Sequence, residues 1–181
     1  WAFLKEDYAR IESYVSQHSN ALDSLKRQSF SNDDAWTAYR IGQAFLISGD
    51  KSNAERYFSK AVELAPFYPD FRMKLADLQF ESGDNAKAES NYSFIISENP
   101  KYVSAYVNYG FLSLSVNKDD KKAEKYYDEA IKLDPDNEQA LLNKAGLMIY
   151  RKDVVKAKNY IEKVLKINPT NEQAKRLLKL L

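Results

Sequence analysis

Between Asp50 and Pro66 the chain reads DKSNAERYFSKAVELAP, and between Asp119 and Pro135 it reads DDKKAEKYYDEAIKLDP. The two stretches share an opening aspartate, an alanine four residues on, an aromatic ring four further (Phe58, Tyr127), a second alanine (Ala61, Ala130) and a closing proline. Such an echo marks a repeat architecture, and it extends along the chain. Pro66, Pro100, Pro135 and Pro169 are separated by 34, 35 and 34 residues, and Ala54, Ala88, Ala123 and Ala157 follow the same intervals. Four residues after each of these alanines stands a large apolar residue: Phe58, Tyr92, Tyr127 and Ile161. A polar turn precedes each alanine, at Ser48-Gly49-Asp50, Ser82-Gly83-Asp84, Asn117-Lys118-Asp119 and Lys152-Asp153. Turn residues at a fixed offset split every unit into two helices.

The alanine is small where two helices approach closely, and the residue four later shares its face and fills the space beside it. The proline stops the second helix because it lacks a backbone donor and restricts the residue before it. The Asp, Asn or Thr that follows is suited to cap the next helix.

The pattern resembles the tetratricopeptide repeat. The first unit carries it in Ile41-Gly42, Phe45, Gly49-Asp50, Ala54, Phe58, Ala61 and Pro66, and the second in Leu75-Ala76, Ala88, Tyr92 and Pro100. The third shows Tyr106, Tyr109-Gly110, Ala123, Tyr127, Ala130 and Asp134-Pro135, and the fourth Ala145, Met148, Ala157, Ile161 and Pro169. Ala38 and Arg72 stand where the family usually has a large aromatic, Gln79 replaces another, and the third turn holds one extra residue. The resemblance implies an all-α, right-handed superhelical solenoid of helical hairpins, with repeats at 35–68, 69–102, 103–137 and 138–171.

Two flanks remain. Residues 172–181 resume a helix with Ala174, Leu177, Leu178 and Leu181, expected to cover the last hairpin as a terminal cap. In residues 1–34, Leu4, Tyr8, Ile11, Val15, His18, Leu22 and Leu25 make an unbroken heptad stripe. It suits a flanking helix packed on the first repeat, or a homodimer formed through Leu4, Tyr8, Ile11 and Val15. The chain begins at Trp1 rather than Met, which suggests a fragment or processed form.

In solenoids of this family the first helix of each repeat lines a concave wall. Helical spacing gives candidate stripes of Trp36, Tyr39, Gln43 and Leu46; Asp70, Met73, Asp77 and Phe80; Ser104, Val107, Phe111 and Leu114; and Gln139, Leu142, Gly146 and Ile149, with Tyr150 beside the last. The expected surface is mostly apolar and suited to a peptide or helical segment of a partner protein. Some relatives hold a C-terminal carboxylate with a lysine and an asparagine, but Tyr39 and Gln43 occupy those places, which argues against that ligand. An asparagine once per repeat, able to hold a partner's backbone, is matched by Asn108 and Asn143 and not by Arg40 or Lys74.

Composition narrows the function classes. There are 27 basic and 26 acidic side chains, so net charge names no nucleic-acid partner. Cysteine is absent, which removes thiolate chemistry, disulfides and zinc–cysteine sites, and the lone His18 cannot form a histidine metal cluster. No nucleophile–base pair or phosphate-cradling glycine loop stands out, so no enzyme activity, small-molecule substrate, metal or cofactor is expected. Asp70, Asp77, Glu81 and Asp84 make the second repeat acidic, whereas residues 151–181 hold nine basic side chains against three acidic. No stretch has the length of a membrane span, and compartment stays open. The principal expectation is a protein-binding scaffold; the alternatives are a targeting or assembly module of a larger enzyme, or self-association through the N-terminal stripe.

Overall fold

The computed structural model describes residues 35–181, and the heptad stripe with its proposed dimer contact lies outside them. Nine helices occupy the described residues, with no strand. They are α1 (Ala35–Ile47), α2 (Lys51–Leu64), α3 (Pro69–Glu81), α4 (Asn85–Glu98), α5 (Val103–Ser115), α6 (Asp120–Leu133), α7 (Glu138–Tyr150), α8 (Val154–Ile167) and α9 (Glu172–Leu178). This is an all-α repeat fold of antiparallel hairpins. The described residues fall into two compact units, one ending at Asn91 and the other beginning at Tyr92.

The turn inside each hairpin has a repeated construction. Asp50, Asp119 and Asp153 cap α2, α6 and α8, their side chains accepting from the backbone N–H of Asn53, Lys122 and Lys156. Asp84 does the same for Lys87. The residue before each aspartate turns left-handed: Gly49 at φ 83° and Gly83 at φ 85°, but Lys118 at φ 56° and Lys152 at φ 61°. A side chain there is strained, so the last two turns are built less comfortably than the first two.

In every turn the aspartate N–H donates to the carbonyl of the repeat's eleventh residue: Phe45, Gln79, Ser113 and Met148. The extra residue of the third repeat is absorbed between Ser113 and Asp119 without moving that bond. Between hairpins, Asp134 and Asn168 are extended just before their prolines, and Ala65, at φ −137° and ψ 72°, has likewise left the helical region, as the proline ring favours. Asn137 and Asn171 then cap α7 and α9, while Tyr68 and Tyr102 precede α3 and α5 with no side-chain cap.

The small and large markers are all buried. Phe58, Ala54, Ala88, Ala123, Ala157 and Ile161 are wholly buried, and Tyr92 and Tyr127 are 1% exposed. Each large side chain is worth about 1.5–3 kcal/mol when fully buried. A Cβ built on Gly42 would lie 2.7 Å from the Phe58 ring, and one on Gly110 would lie 2.6 Å from the Tyr127 ring. The eighth residue of the repeat is therefore what lets the ring of the second helix lie on the first.

Two of the family's missing aromatics, at Arg72 and Gln79, are replaced by hydrogen bonds. In the first unit Arg72 donates to Asn91 Oδ1 at 2.9 Å and to the Pro66 carbonyl at 3.0 Å. Asn91 Nδ2 donates to Gln79 Oε1 at 2.8 Å, and Gln79 Nε2 donates to Glu55 Oε1 at 3.2 Å. Arg72, Asn91, Gln79 and Glu55 form one chain, which satisfies Gln79 although it is only 4% exposed.

In the second unit the buried Lys144 ammonium reaches Glu124 at 3.1 Å and also pairs with Asp128, while Arg151 Nε donates to Asp120 at 2.7 Å and Arg151 Nη1 to Glu124. This network ties α6 to α7, and hydrogen bonds from Arg151 and then Lys144 hold the Glu124 carboxyl below its usual range. Ala174 on α9 joins the core of Leu141, Leu142, Ala145, Ile161 and Val164, with Leu177 and Leu178 packed alongside.

Candidate functional site

The first helix of each hairpin has two packed sides, and this decides which residues can meet a partner. Tyr39, Met73, Val107 and Leu142 hold the fifth position of their repeats and are 6%, 7%, 3% and 4% exposed. Tyr39 lies against Phe71 of α3, ring centroids 4.9 Å apart. Val107 shares a core with Ala140 of α7, and Leu142 with Ala174 of α9. In each of these three cases the fifth residue packs on the third residue of the following element. Burial, followed by the nearby charge of Asp70, pushes the Tyr39 phenol up to about 12, so it stays neutral. These four expected surface residues are core residues: for Tyr39, Val107 and Leu142 the element that follows takes the side that an isolated helix would show to solvent.

The exposed line runs instead through the second, sixth, ninth and thirteenth positions, spaced 4, 3 and 4, as one side of a helix requires. In the first unit this places Trp36, Arg40, Gln43 and Ile47 on α1, and Asp70, Lys74, Asp77 and Glu81 on α3, all exposed or half-buried. Trp36 sets its ring edge-on to Tyr68 and Phe71 at centroid distances of 5.2 and 4.8 Å, leaving 39% of the residue exposed. Phe80 and Leu46, at the twelfth position, are half-buried beside this line. Arg40 and Lys74 are exposed at the sixth position. The first-unit surface is consequently charged rather than mostly apolar.

The second unit differs. On α5 the same positions are Ser104, Asn108, Phe111 and Ser115, and on α7 they are Gln139, Asn143, Gly146 and Tyr150. None is ionisable at neutral pH. Phe111 is 46% and Tyr150 60% exposed, Asn108 and Asn143 are half-buried, and Gln139 Nε2 donates to Asn143 Oδ1 at 2.9 Å. A Cβ added to Gly146 would meet nothing within 4 Å, so the space over the middle of α7 is open. Two amides one repeat apart, flanked by two exposed rings, can offer donors and acceptors to a polypeptide backbone and apolar surface to its side chains.

Among the described residues, no group of three metal-ligating side chains converges and no helix is long and apolar enough to cross a membrane.

Hairpins of one size, repeating every 34–35 residues, define a helical-repeat protein. Models of the tetratricopeptide repeat match residues 39–103, 73–138 and 117–181. The chain belongs to the tetratricopeptide repeat family. Among curated proteins it is 28% identical over 76 residues to the photosystem I assembly protein Ycf3 of Rippkaea orientalis, a match covering 42% of this chain and 44% of that one. The chain thus spans less than half of that relative. Among solved structures, MamA is similar at a TM-score of 0.70 and 18% identity, covering 91% of this chain and 92% of that one. YrrB, described as a TPR protein with an unusual peptide-binding site, is similar at 0.69 and 18% identity, covering 98% and 88%. Likeness at that identity carries the fold alone.

Proposed function

We propose that this chain is a non-catalytic scaffold that holds a segment of a partner protein on the exposed face of α5 and α7, which selects an uncharged stretch of that segment. Tetratricopeptide repeat proteins bind protein partners, and the chain's membership of that family supports the general role. The observation that carries the finer reading is the second-unit surface: eight exposed or half-buried positions without a charge, in a chain where 29% of residues are charged. A charged partner side chain placed there would lose water and gain no counter-ion, whereas a neutral backbone can exchange hydrogen bonds with Asn108, Asn143 and Gln139. The peptide site in the description of YrrB and the assembly role in that of Ycf3 are consistent with a ligand of this class.

The test is to pan a displayed peptide library against the chain and measure the selected peptides by fluorescence anisotropy. Selected sequences should be poor in Asp, Glu, Lys and Arg. Each amide hydrogen bond is worth about 1 kcal/mol, so Asn108→Ala with Asn143→Ala should weaken binding roughly 10- to 30-fold, and Phe111→Glu should weaken it at least as much. Selection of highly charged peptides, or unchanged binding by both the Asn108→Ala, Asn143→Ala double variant and Phe111→Glu, would sink this reading.

A further inference from the structure

Within the basic stretch 151–181, α8 holds four lysines against one glutamate, and there the charges are arranged differently from those of the earlier hairpins. Lys163 and Lys166 of α8 hold positions that α2 fills with Lys60 and Glu63, α4 with Phe94 and Ser97, and α6 with Glu129 and Lys132. In α2 and α6 the two residues neutralise each other, with Lys60–Glu63 at 3.4 Å and Lys132–Glu129 at 3.3 Å. In α4 they carry no charge. Only α8, among these four helices, places two cations there.

The acidic residues nearby are otherwise engaged. Glu162 pairs with Lys158 at 3.8 Å and Asp153 with Lys156 at 3.0 Å, and among the described residues no carboxylate pairs with Lys163 or Lys166. Lys156, Asn159, Lys163 and Lys166 recur at helical spacing on the side away from the buried Ala157, Ile161 and Val164. With Tyr160 and Glu162 they line an open hollow of about 460 Å³.

From this we infer that the outer face of α8 is a second docking surface, distinct from the α5–α7 face, whose occupant is an acidic helical segment of a partner protein. The rise of an α-helix puts Lys163 about 10 Å and Lys166 about 15 Å along the axis from Lys156, whose solvent-exposed pair with Asp153 is worth little and can be exchanged for a partner's carboxylate. Carboxylates at i, i+7 and i+10 of a second helix lying alongside have the same spacing. Exposed Ile167 and Val155, near the two ends of α8, supply apolar contacts. RNA is a poorer fit, because the aromatic ring on this face, Tyr160, already carries the Lys163 ammonium 5.5 Å from its centre and base stacking needs an open ring face.

The experiment uses the whole chain and a fluorescein-labelled helical peptide with glutamates at i, i+7 and i+10. Binding at low salt is expected to weaken as salt is raised, to fall at least ten-fold in the variant K156E/K163E/K166E, and to be unchanged in Phe111→Glu. Circular dichroism on the triple variant establishes that it keeps its helix content; if it does not, K163Q/K166Q, which adds no negative charge, replaces it and should lose at least three-fold. Equal binding by a peptide with the same glutamates in scrambled order, or no loss in either lysine variant, would overturn the proposal. So would tighter binding of polyuridylate or phosphatidylserine vesicles than of the acidic peptide. Loss of neutral-peptide binding on α5 and α7 would leave it standing, because Phe111 and Lys163 are varied independently.

Discussion

Replacing Gly110 by alanine tests the contact that sets hairpin geometry. The added Cβ would lie 2.6 Å from Cε1 and 2.8 Å from Cδ1 of Tyr127, well inside ordinary van der Waals contact. Tyr127 is 1% exposed, so its ring has no empty space to move into and α5 must shift away from α6. Overpacking of this kind costs about 1–3 kcal/mol, while exchanging glycine for alanine inside a helix returns about 1 kcal/mol. Gly146→Ala is the matched control, one repeat further along and also helical, where the new Cβ meets nothing within 4 Å. The propensity gain cancels between the two variants, so the difference in their stabilities isolates the steric cost at roughly 1–3 kcal/mol.

Urea unfolding followed by circular dichroism reads that difference, with thermal midpoints expected to separate by roughly 2–4 °C per kcal/mol for a chain of this size. A compensating change is written in the fourth repeat, which pairs Ala145 with Ile161 at the equivalent positions. Gly110→Ala with Tyr127→Ile should therefore recover part of the loss. If Gly110→Ala proves as stable as Gly146→Ala, the eighth position does not limit hairpin packing and the explanation given for Gly42 and Gly110 fails.

Two further outcomes test the polar networks. Asn91→Leu removes the link between Arg72 and Gln79 and leaves buried polar groups unsatisfied, so a loss of about 1–3 kcal/mol is expected in denaturant titration; Ser90→Leu, at an exposed neighbour, should change little. The Arg151 and Lys144 contacts depress the pKa of Glu124, so the folded state binds its proton less readily than the unfolded one. That contribution is present above the unfolded glutamate value of roughly 4.3 and is lost as pH falls through the lower folded value. The stability difference between the wild type and Glu124→Gln should accordingly shrink on acidification. A difference that stayed constant from about pH 6 to pH 3 would mean that the Glu124 charge does not contribute through this linkage.

Much of the architecture was legible in one dimension. The spacing of Pro66, Pro100, Pro135 and Pro169 and the alanine–aromatic pairs specify hairpins, because helix stops, tight approaches and ring positions each demand particular side chains at particular distances along the chain. Asp50, Asp84, Asp119 and Asp153 announced the helix starts for the same local reason. Even the small residue at Gly42, Ala76, Gly110 and Ala145 was visible as a feature, although its partner ring was not. What the tertiary structure decided is which side of each first helix meets solvent. Helical spacing fitted lines through either the fifth or the sixth position, and the choice depends on the element that follows, which buries Tyr39 against Phe71 and places Leu142 in one core with Ala174. The count of lysines near the C-terminus was likewise open to inspection. Which of them are neutralised was not, since pairing depends on side chains brought together from different turns and helices: Lys144 on α7 is held by Glu124 and Asp128 on α6, while Lys163 and Lys166 on α8 lie where earlier helices place a neutralised pair or no charge at all.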